Sequence, residues 1–528
     1  MRNLFLIIFM NLTLCLTTSI AQTTQNVKGT IIDKQSEIPL IGATIELRGT
    51  DIGTVTDIDG YFRLENIPVG RQSFRVSYLG YNAITLPNME VRAGKELLLD
   101  ISLEEAVEKL AEIVVTAEVA KDKAQNELAT LSARTFSVEE VTRYSGGRSD
   151  VARLAANFAG VSTSDDSRND IVIRGNSPSG VLWRLEGVPI PNPNHFSTLG
   201  TTGGPVSALN PNLLKNSDFI TSAFPSEYGN ALAGVFDLGF RSGNRDEHEF
   251  MFQTGAVSGI EAMAEGPLNK AKGSSYLVAG RYAFTGLATT LGLDIGTNAV
   301  PNYRDLAFKI DFGKSKIGKL TLFGIGGSSD IDFLHNEVDE TDLFAAADED
   351  AFATSQFGVI GLKHNLLLDD RTYIRTVLSF STAGNVFDQF RFFDMDTENE
   401  KRIKYFETDN TDNRIALSSF VNRKFNAKWT IRAGFLIENF SSNLSANTRE
   451  NRPDRDEDGN PDWATLYDFN GNATLAQVYT QTQYKPSKKW TLNGGLHFQY
   501  YDLNKQAVVE PRAAVSYTHL TLPTIYSV

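Results

Sequence analysis

The sequence predicts a mainly β chain in three parts: an N-terminal β-sandwich module, a mixed α/β domain and an antiparallel transmembrane β-barrel. Three observations predict this architecture. Residues 22–104 hold short runs rich in Val, Ile and Thr between turn residues. Residues 133–241 mix short helical and strand patterns around a Gly- and Pro-rich middle. From residue 242 onwards, apolar and polar side chains alternate over long stretches.

Composition limits the classes of function. The 528 residues are 41% hydrophobic, which is enough to build a packed core. The chain has 50 Lys and Arg against 64 Asp and Glu, a net charge of −14, so we expect no nucleic-acid partner. Cys15 is the single cysteine, which excludes an internal disulfide and a multi-cysteine zinc site. Folding must therefore depend on burial and main-chain pairing.

Residues 1–21 are typical of a secretory signal peptide. Arg2 precedes an uncharged, largely apolar run over residues 4–16, and small residues lead to Ala21, after which we expect cleavage. The run is shorter than the ~20 residues that a spanning helix needs. A membrane anchor is the alternative. Lipidation of Cys15 is another, which the bulky Leu14 before it disfavours.

Residues 22–104 are expected to form the β-sandwich. Strands are predicted over residues 27–33, 43–49, 61–65, 73–78 and 96–102. The sequence Asp-Ile-Asp-Gly at residues 57–60 predicts a tight turn between two of these strands. A turn accounts for both aspartates without a metal ion.

Residues 105–132 are expected to form a charged, Ala-rich linker that contains one β-branched run. The run consists of Glu112, Ile113, Val114, Val115, Thr116 and Ala117. An extended run of this kind can pair with the sheet edge of a partner protein through main-chain hydrogen bonds. An ordinary linker strand is the alternative.

Residues 133–241 are expected to form one mixed α/β domain. The pattern predicts a helix over residues 150–158 and strands over residues 170–174 and 181–186. The Gly- and Pro-rich residues 187–211 are expected to lack regular structure.

Residues 242–517 are expected to form barrel strands. Between residues 491 and 500, the even positions are Leu, Gly, Leu, Phe and Tyr, and the odd positions are mostly polar. Residues 428–440 and 373–381 alternate in the same way. A soluble β-sandwich would alternate too. Tight connections before Trp429 and Trp490, set against polar insertions over residues 330–350 and 441–473, favour an outer-membrane barrel.

Three motifs in residues 133–241 carry a family resemblance. The first is Ile-Val-Ile-Arg-Gly, the second Leu-Glu-Gly-Val-Pro and the third Phe-Pro-Ser-Glu-Tyr-Gly; their singled-out residues, with one later arginine, are Arg174, Gly175, Glu186, Gly187, Glu227, Tyr228, Gly229 and Arg241. With the β module and the linker run ahead of them, the chain resembles TonB-dependent outer-membrane receptors of Bacteroidetes-type bacteria. Those receptors carry a carboxypeptidase-regulatory-like domain before a plug domain. Glu186 stands where many relatives have Asp, which keeps the carboxylate.

The resemblance implies a function and its partners. Residues 133–241 would be the plug in the lumen of the barrel, and residues 112–117 the TonB box. The partners would be TonB with ExbB and ExbD, the lipid of the cell outer membrane, and a small nutrient, siderophore or peptide to be imported. The N-terminal module and the plug would be reached from the periplasm. A receptor that senses ligand without transport, or an adhesin-like surface protein, is the alternative.

The resemblance also assigns roles to plug residues. Arg174, Glu186, Glu227 and Arg241 would lie against polar side chains of the barrel, where ion pairs can hold the plug. Outward-facing plug loops would carry the candidate ligand contacts, which are Asn192, Asn194, His195 and Phe196.

One spacing resembles a calcium loop. Asp454, Asp456 and Asp458 stand at positions 1, 3 and 5, Gly459 at position 6 and Asp462 at position 9. Position 12 is Thr465, which cannot supply the bidentate carboxylate. A solvated acidic loop is therefore the alternative to a Ca²⁺ site, and we expect no other cofactor.

No enzyme motif is present in the sequence. None of the six histidines begins an H-x-x-E or H-E-x-x-H arrangement, and no G-x-S-x-G occurs. We therefore expect a receptor rather than an enzyme.

The last expectation concerns the number of strands. We predict about ten or eleven strands before Tyr517, against the about 22 of a plugged barrel of this class, so the barrel is expected to be incomplete. Residues 518–528 contain Pro523 and lack the terminal aromatic residue usual in the family, so they resemble a non-native tail.

Overall fold

The computed structural model describes residues 23–107, 117–118, 124–129, 131–144, 146–163, 166–255, 259–284, 301–335, 348–395, 397, 400–450 and 460–517. They belong to two compact units, residues 1–120 and 121–528. The predicted signal peptide and the predicted tail lie outside the described residues.

The first unit is a two-sheet β module, as predicted. Its strands are β1 (Thr24–Asp33), β2 (Thr44–Leu47), β3 (Gly53–Val55), β4 (Tyr61–Pro68), β5 (Gly70–Ser77), β6 (Ile84–Val91), β7 (Leu97–Leu103) and β8 (Ala117–Glu118). One sheet has the order β4-β1-β7 and the other β3-β2-β5-β6-β8. Between them Ile31, Ile45, Phe62 and Phe74 form a fully buried core.

Two strands of this module do not follow from the sequence pattern. Strand β6 contains Pro87 and Asn88, and Asn88 has a φ of 56°. These two residues are typical of a turn, yet an edge region of a sheet tolerates both. Strand β3 has only three residues, too few for a periodic signal. The predicted turn is confirmed: Gly60 donates its N–H to the carbonyl of Asp57 at 3.0 Å and has a φ of 67°.

The second unit begins with the plug. It contains β9 (Ala133–Phe136), α1 (Val138–Arg143), α2 (Val151–Ala155), β10 (Val161–Thr163), β11 (Ile171–Ile173), β12 (Val181–Leu185), β13 (Val188–Pro189), β14 (Asn194–His195), β15 (Val206–Ser207), β16 (Ser217–Ile220) and β17 (Gly234–Leu238). The central sheet has the order β13-β12-β17-β16-β9. Helix α1 begins with a capping box of Ser137 and Glu140, and Asp150 caps α2. Residues 187–211 are not wholly irregular, as predicted from their composition, because β13, β14 and β15 form two-residue pairings there.

A twelve-stranded antiparallel sheet follows among the described residues. Its strands are β18 (Glu249–Gly255), β19 (Gly259–Asn269), β20 (Ser274–Phe284), β21 (Asn302–Asp311), β22 (Lys319–Phe333), β23 (Glu349–Asp369), β24 (Thr372–Phe393), β25 (Lys401–Asn426), β26 (Trp429–Thr448), β27 (Ala464–Ser487), β28 (Trp490–Tyr501) and β29 (Gln506–Tyr517). Each pairs with the next along the chain, and β18 and β29 form the two edges. The sheet is therefore open among these residues.

The strand count and the loop bounds differ from the prediction. Strands β26 and β27 continue to Thr448 and from Ala464, so much of the expected insertion over residues 441–473 is strand. Both faces of the strands are polar beyond the apolar band. Alternation is lost there while main-chain pairing continues.

The predicted alternation is confirmed in side-chain exposure. On β24, Leu378 and Phe380 are exposed, whereas Ser379 and Ser381 are buried on the face towards the plug. We call this plug-facing side the inner face. Plug and inner face share one hydrophobic core, in which Phe236 of the plug meets Phe323 of β22 and Val377 of β24. Among the helices of the described ranges, none is both long and apolar enough to cross a membrane.

Candidate functional site

The candidate site is the contact between the plug and the inner face of the sheet. Its first cluster surrounds Glu186, which follows β12 in a two-residue turn to β13. Glu186 has a φ of 54° and Gly187 a φ of 97°, as this tight hairpin turn requires. The turn directs the Glu186 carboxylate to Lys309 of β21 at 3.2 Å and to Lys363 of β23.

Main-chain groups complete the Glu186 cluster. The Phe240 N–H donates to Glu186 Oε1 at 2.8 Å, and Lys309 Nζ donates to the Phe240 carbonyl at 2.7 Å. Burial alone would raise the pKa of Glu186, but the charges of Lys309 and Lys363 hold it well below its usual range. The carboxylate is therefore ionised, and it joins the plug to two strands of the sheet.

The second cluster surrounds Glu227 in the Phe-Pro-Ser-Glu-Tyr-Gly motif. Arg432 of β26 donates to Glu227 Oε1 at 2.8 Å, and Arg184 of β12 lies 3.6 Å from Oε2. The Tyr228 hydroxyl donates to Asp237 at 2.7 Å and its ring lies under the Arg184 guanidinium. Burial raises the pKa of Glu227, yet Arg432 and Arg184 lower it further, so the net shift is downward.

The third cluster is a bidentate pair of Arg241 and Glu265. Both Arg241 Nη atoms lie 2.6 Å from Glu265 oxygens on β19, and Glu265 is fully buried. The Asn244 N–H donates to the same carboxylate at 3.0 Å. This pair, with the clusters at Glu186 and Glu227, agrees with the expectation that ion pairs hold the plug.

The turn around Glu227 is also held through its main chain. Ser226 donates its N–H to Gln481 Oε1 at 2.5 Å and accepts from His497 Nδ1 at 2.7 Å. Arg512 donates to the carbonyls of Pro225 and Tyr228, each at 2.8 Å. These bonds fix the turn against β27, β28 and β29.

Gly229 ends this turn where the sheet approaches closely. A Cβ atom there would lie 1.9 Å from Gln477 Oε1 and 2.9 Å from His497 Cε1. The motif therefore needs glycine because no side chain fits between the plug and β27.

Arg174 does not form the expected ion pair among the described residues. It is exposed, with a φ of 50°, and Gly175 follows with a φ of 80°. Its N–H donates to the carbonyl of Gly160 at 2.8 Å. The expectation for Arg174 is wrong because these two residues make a turn after β11, which directs the side chain away from the sheet.

The candidate ligand contacts are partly buried in the same interface. His195 is 1% exposed and its Nε2 lies 3.0 Å from Asp305 of β21; this burial lowers its pKa. Asn194 accepts from Asn169 at 2.8 Å and is equally buried. The expected outward exposure is therefore wrong for Asn194 and His195. Half-buried Phe196 donates its N–H to Ser329 of β22 at 2.9 Å, and half-buried Asn192 donates to Asn194's neighbourhood through the Gly203 carbonyl at 2.9 Å.

A segment that the sequence did not single out links the plug, the sheet and the linker. In residues 124–129, which we call the entry segment, the N–H groups of Gln125 and Asn126 donate to the Asp218 carboxylate at 2.7 and 2.6 Å. Burial raises the pKa of Asp218. Asn126 Nδ2 also donates to Glu227 Oε1 at 2.8 Å.

The entry segment reaches the sheet as well. Lys485 Nζ lies 3.0 Å from Glu127, and Asn493 donates to the carbonyl of Leu128 at 3.0 Å. No local sequence signal could have found these contacts, because more than 350 residues separate the partners.

Two groups of candidate residues fall largely outside the described residues. Glu112, Ile113, Val114, Val115 and Thr116 of the linker run are among them; Ala117 begins β8, which pairs in parallel with β6. Asp454, Asp456 and Asp458 of the acidic loop are also outside, while Asp462 is described. Within the described ranges no group of three or more potential metal ligands occurs.

Comparisons with known proteins agree with this geometry. Residues 27–115 match the family described as the CarboxypepD_reg-like domain, and residues 113–235 match the TonB-dependent Receptor Plug Domain. Over 175 residues the chain is 31% identical to a TonB-dependent receptor of Formosa agariphila; this stretch is 31% of the chain and 16% of that relative.

Solved structures share the fold of the plug and the large sheet. A mutant of the ferric enterobactin receptor PfeA from Pseudomonas aeruginosa aligns with a TM-score of 0.50 and 14% identity, over 76% of this chain and 62% of that one. The copper transporter OprC aligns with a TM-score of 0.50 and 10% identity, over 73% and 60%. The chain thus spans less than two thirds of the length of these relatives. The plug match, the identity to a named receptor and this shared fold place the chain in the TonB-dependent receptor family.

Proposed function

We propose that the protein binds a scarce extracellular ligand at the outer membrane and imports it past its plug, using energy that TonB delivers with ExbB and ExbD. The observation that carries the proposal is the plug seated on the inner face through the Glu186, Glu227 and Arg241 ion pairs. A surface adhesin has no need of such a plug.

Moving this plug requires work. Breaking one buried ion pair by removing a partner typically costs ~3–5 kcal/mol, and the outer membrane holds no ion gradient to supply it. An external pull on the chain supplies it instead. The run over residues 112–117 suits this role because main-chain pairing to a partner's sheet edge resists pulling along the strand.

The position of the entry segment supports an orientation. Residues 124–129 follow the run closely and contact Lys485 near the short turn at residues 488–489. Short turns of outer-membrane barrels face the periplasm. We therefore place the linker, the N-terminal module and the TonB contact on the periplasmic side, and the opposite strand ends, which we call the outer ends, on the cell surface.

Removal of residues 112–117 from the native gene tests the proposal. A strain lacking the whole gene is first screened for nutrients on which growth fails. We expect the six-residue deletion to fail on the same nutrients, with binding of the labelled nutrient to whole cells retained. Glu112→Gln is the control, since it changes a side chain and keeps the main chain. Growth of the deletion strain equal to wild type would sink the assignment.

A further inference from the structure

Two neighbouring cavities lie at the outer ends of the inner face. The first measures about 320 Å³ and reaches the plug at Leu199 and Gly200. The second measures about 290 Å³ and reaches the plug at Asn230. Phe440 of β26 and Tyr501 of β28 line both, so the two form one continuous site. Together they have the size of a small-molecule site, ~300–1,000 Å³.

The lining contains a single ionisable side chain. Asp412 of β25 is that side chain, and it accepts a hydrogen bond from Ser442 at 2.6 Å. Arg414, the next inward-facing residue of β25, lies 3.2 Å from Glu438, which neutralises it. An anionic ligand would therefore meet one carboxylate and no free cation among these groups. Desolvating an anion without a partner is costly, so the lining favours an uncharged ligand.

Aromatic rings and amides make up much of the remaining surface. Phe469 of β27 is 40% exposed, and Gly471 leaves room for its ring, since a Cβ atom at Gly471 would lie 2.8 Å from Phe469 Cζ. Amide side chains surround the three rings; they are Asn230, Asn472, Gln499, Asn504 and Gln506. Each amide both donates and accepts hydrogen bonds.

Flat apolar rings between amides fit a particular ligand chemistry. A sugar ring offers C–H faces that pack on aromatic rings and hydroxyl groups that pair with amides. We propose that the two cavities bind an uncharged, hydroxyl-rich ligand with the chemistry of a short neutral oligosaccharide. This deepens the proposed receptor function and rests on it.

Calorimetric titration of the full chain in detergent tests the proposal. The probes are maltotetraose, cellotetraose, xylotetraose and mannotetraose, with tetragalacturonate as an anionic ligand of similar size and ferric enterobactin as a catecholate anion. We expect at least one neutral tetrasaccharide to bind and both anions to fail. Binding of an anion alone, or of no neutral probe, overturns the proposal.

Matched variants locate the site. Tyr501→Ala should weaken binding of the neutral probe about tenfold or more, whereas Phe498→Ala, on the outward face of the same strand, should leave it within about twofold. Equal effects of the two variants would contradict the assignment. Emission from Trp183, buried in the plug, checks that each variant is folded. Because binding needs no TonB, a failure here is distinct from a failure of the deletion of residues 112–117, which tests energised import.

Discussion

At the scale of single residues, Glu186 carries the strongest expectation. Glu186→Gln removes the charge that Lys309 and Lys363 share. Loss of one member of a buried ionic group costs ~3–5 kcal/mol, so we expect the plug to unfold at a clearly lower temperature. The chain has four tryptophans, and replacing Trp429, Trp463 and Trp490 by Phe leaves Trp183 as a reporter of plug unfolding.

A surface pair provides the control for Glu186. Glu139 and Arg143 of α1 form an exposed pair at 3.0 Å within the same plug. Exposed pairs contribute ~0–1 kcal/mol, so Glu139→Gln should leave the unfolding temperature nearly unchanged. Equal shifts for Glu186→Gln and Glu139→Gln would show that the buried cluster does not hold the plug.

The same cluster predicts a dependence on pH. The folded-state pKa values of Glu186 and Glu227 lie below their unfolded values, so their stabilisation is present above the ordinary Glu pKa of ~4.3 and is lost as pH falls further. Asp218 has the opposite sign because its pKa is raised, and it offsets part of the loss. We expect the plug's unfolding temperature to fall below about pH 4.3, and to fall less in Glu186→Gln. Identical acid profiles would contradict this.

Gly229 predicts a steric effect. Gly229→Ala places a methyl group where Gln477 Oε1 lies, so the plug turn or β27 must shift. Overpacking of this kind costs ~1–3 kcal/mol, and the Trp183 signal should report a lower unfolding temperature. Gly175→Ala is a useful comparison because no atom lies within 4 Å of a Cβ there, although its φ of 80° adds backbone strain. A Gly229→Ala plug as stable as wild type would contradict the close approach.

At the scale of elements, alternation made the strands readable and polar ends hid their limits. The faces of β24, β26 and β28 follow directly from the sequence, since lipid and plug demand opposite side chains. The outer ends of β26 and β27 do not, because water and polar plug loops accept the same residues on both faces. Strand β6 was missed for a related reason: Pro87 and Asn88 are typical of turns, and only pairing with β5 makes them strand.

The outward face of β23 gives a prediction at this scale. Leu362 and Leu368 are both exposed on that face, the first near the middle of the apolar band and the second next to the turn at residue 370. Arg costs ~2–4 kcal/mol at the bilayer midplane and ~0–1 near its rim. We expect Leu362→Arg to impair folding into phospholipid vesicles, measured by urea titration, and Leu368→Arg to have little effect. Equal costs would mean that β23 does not cross the bilayer.

At the scale of the whole molecule, the sequence predicted the parts better than their contacts. Motif residues Glu186, Glu227 and Arg241 were assigned to plug ion pairs, but their partners Lys309, Arg432 and Glu265 carry no local signal. They are ordinary charged residues of alternating strands, and only the fold brings them to the plug. The entry segment was missed for the same reason, and the exposed Arg174 was misassigned because a motif does not reveal which way its side chain points.

The central claim is that the chain is coupled to TonB through residues 112–117. Calorimetric titration of the purified periplasmic domain of TonB into the full chain tests it most directly, comparing wild type with Val114→Pro and Val114→Thr. Pro removes a main-chain donor and opposes strand pairing, whereas Thr keeps both. We predict binding to wild type and to Val114→Thr, and at least a tenfold loss of affinity for Val114→Pro. Equal binding to all three proteins, or binding to none, would contradict the account.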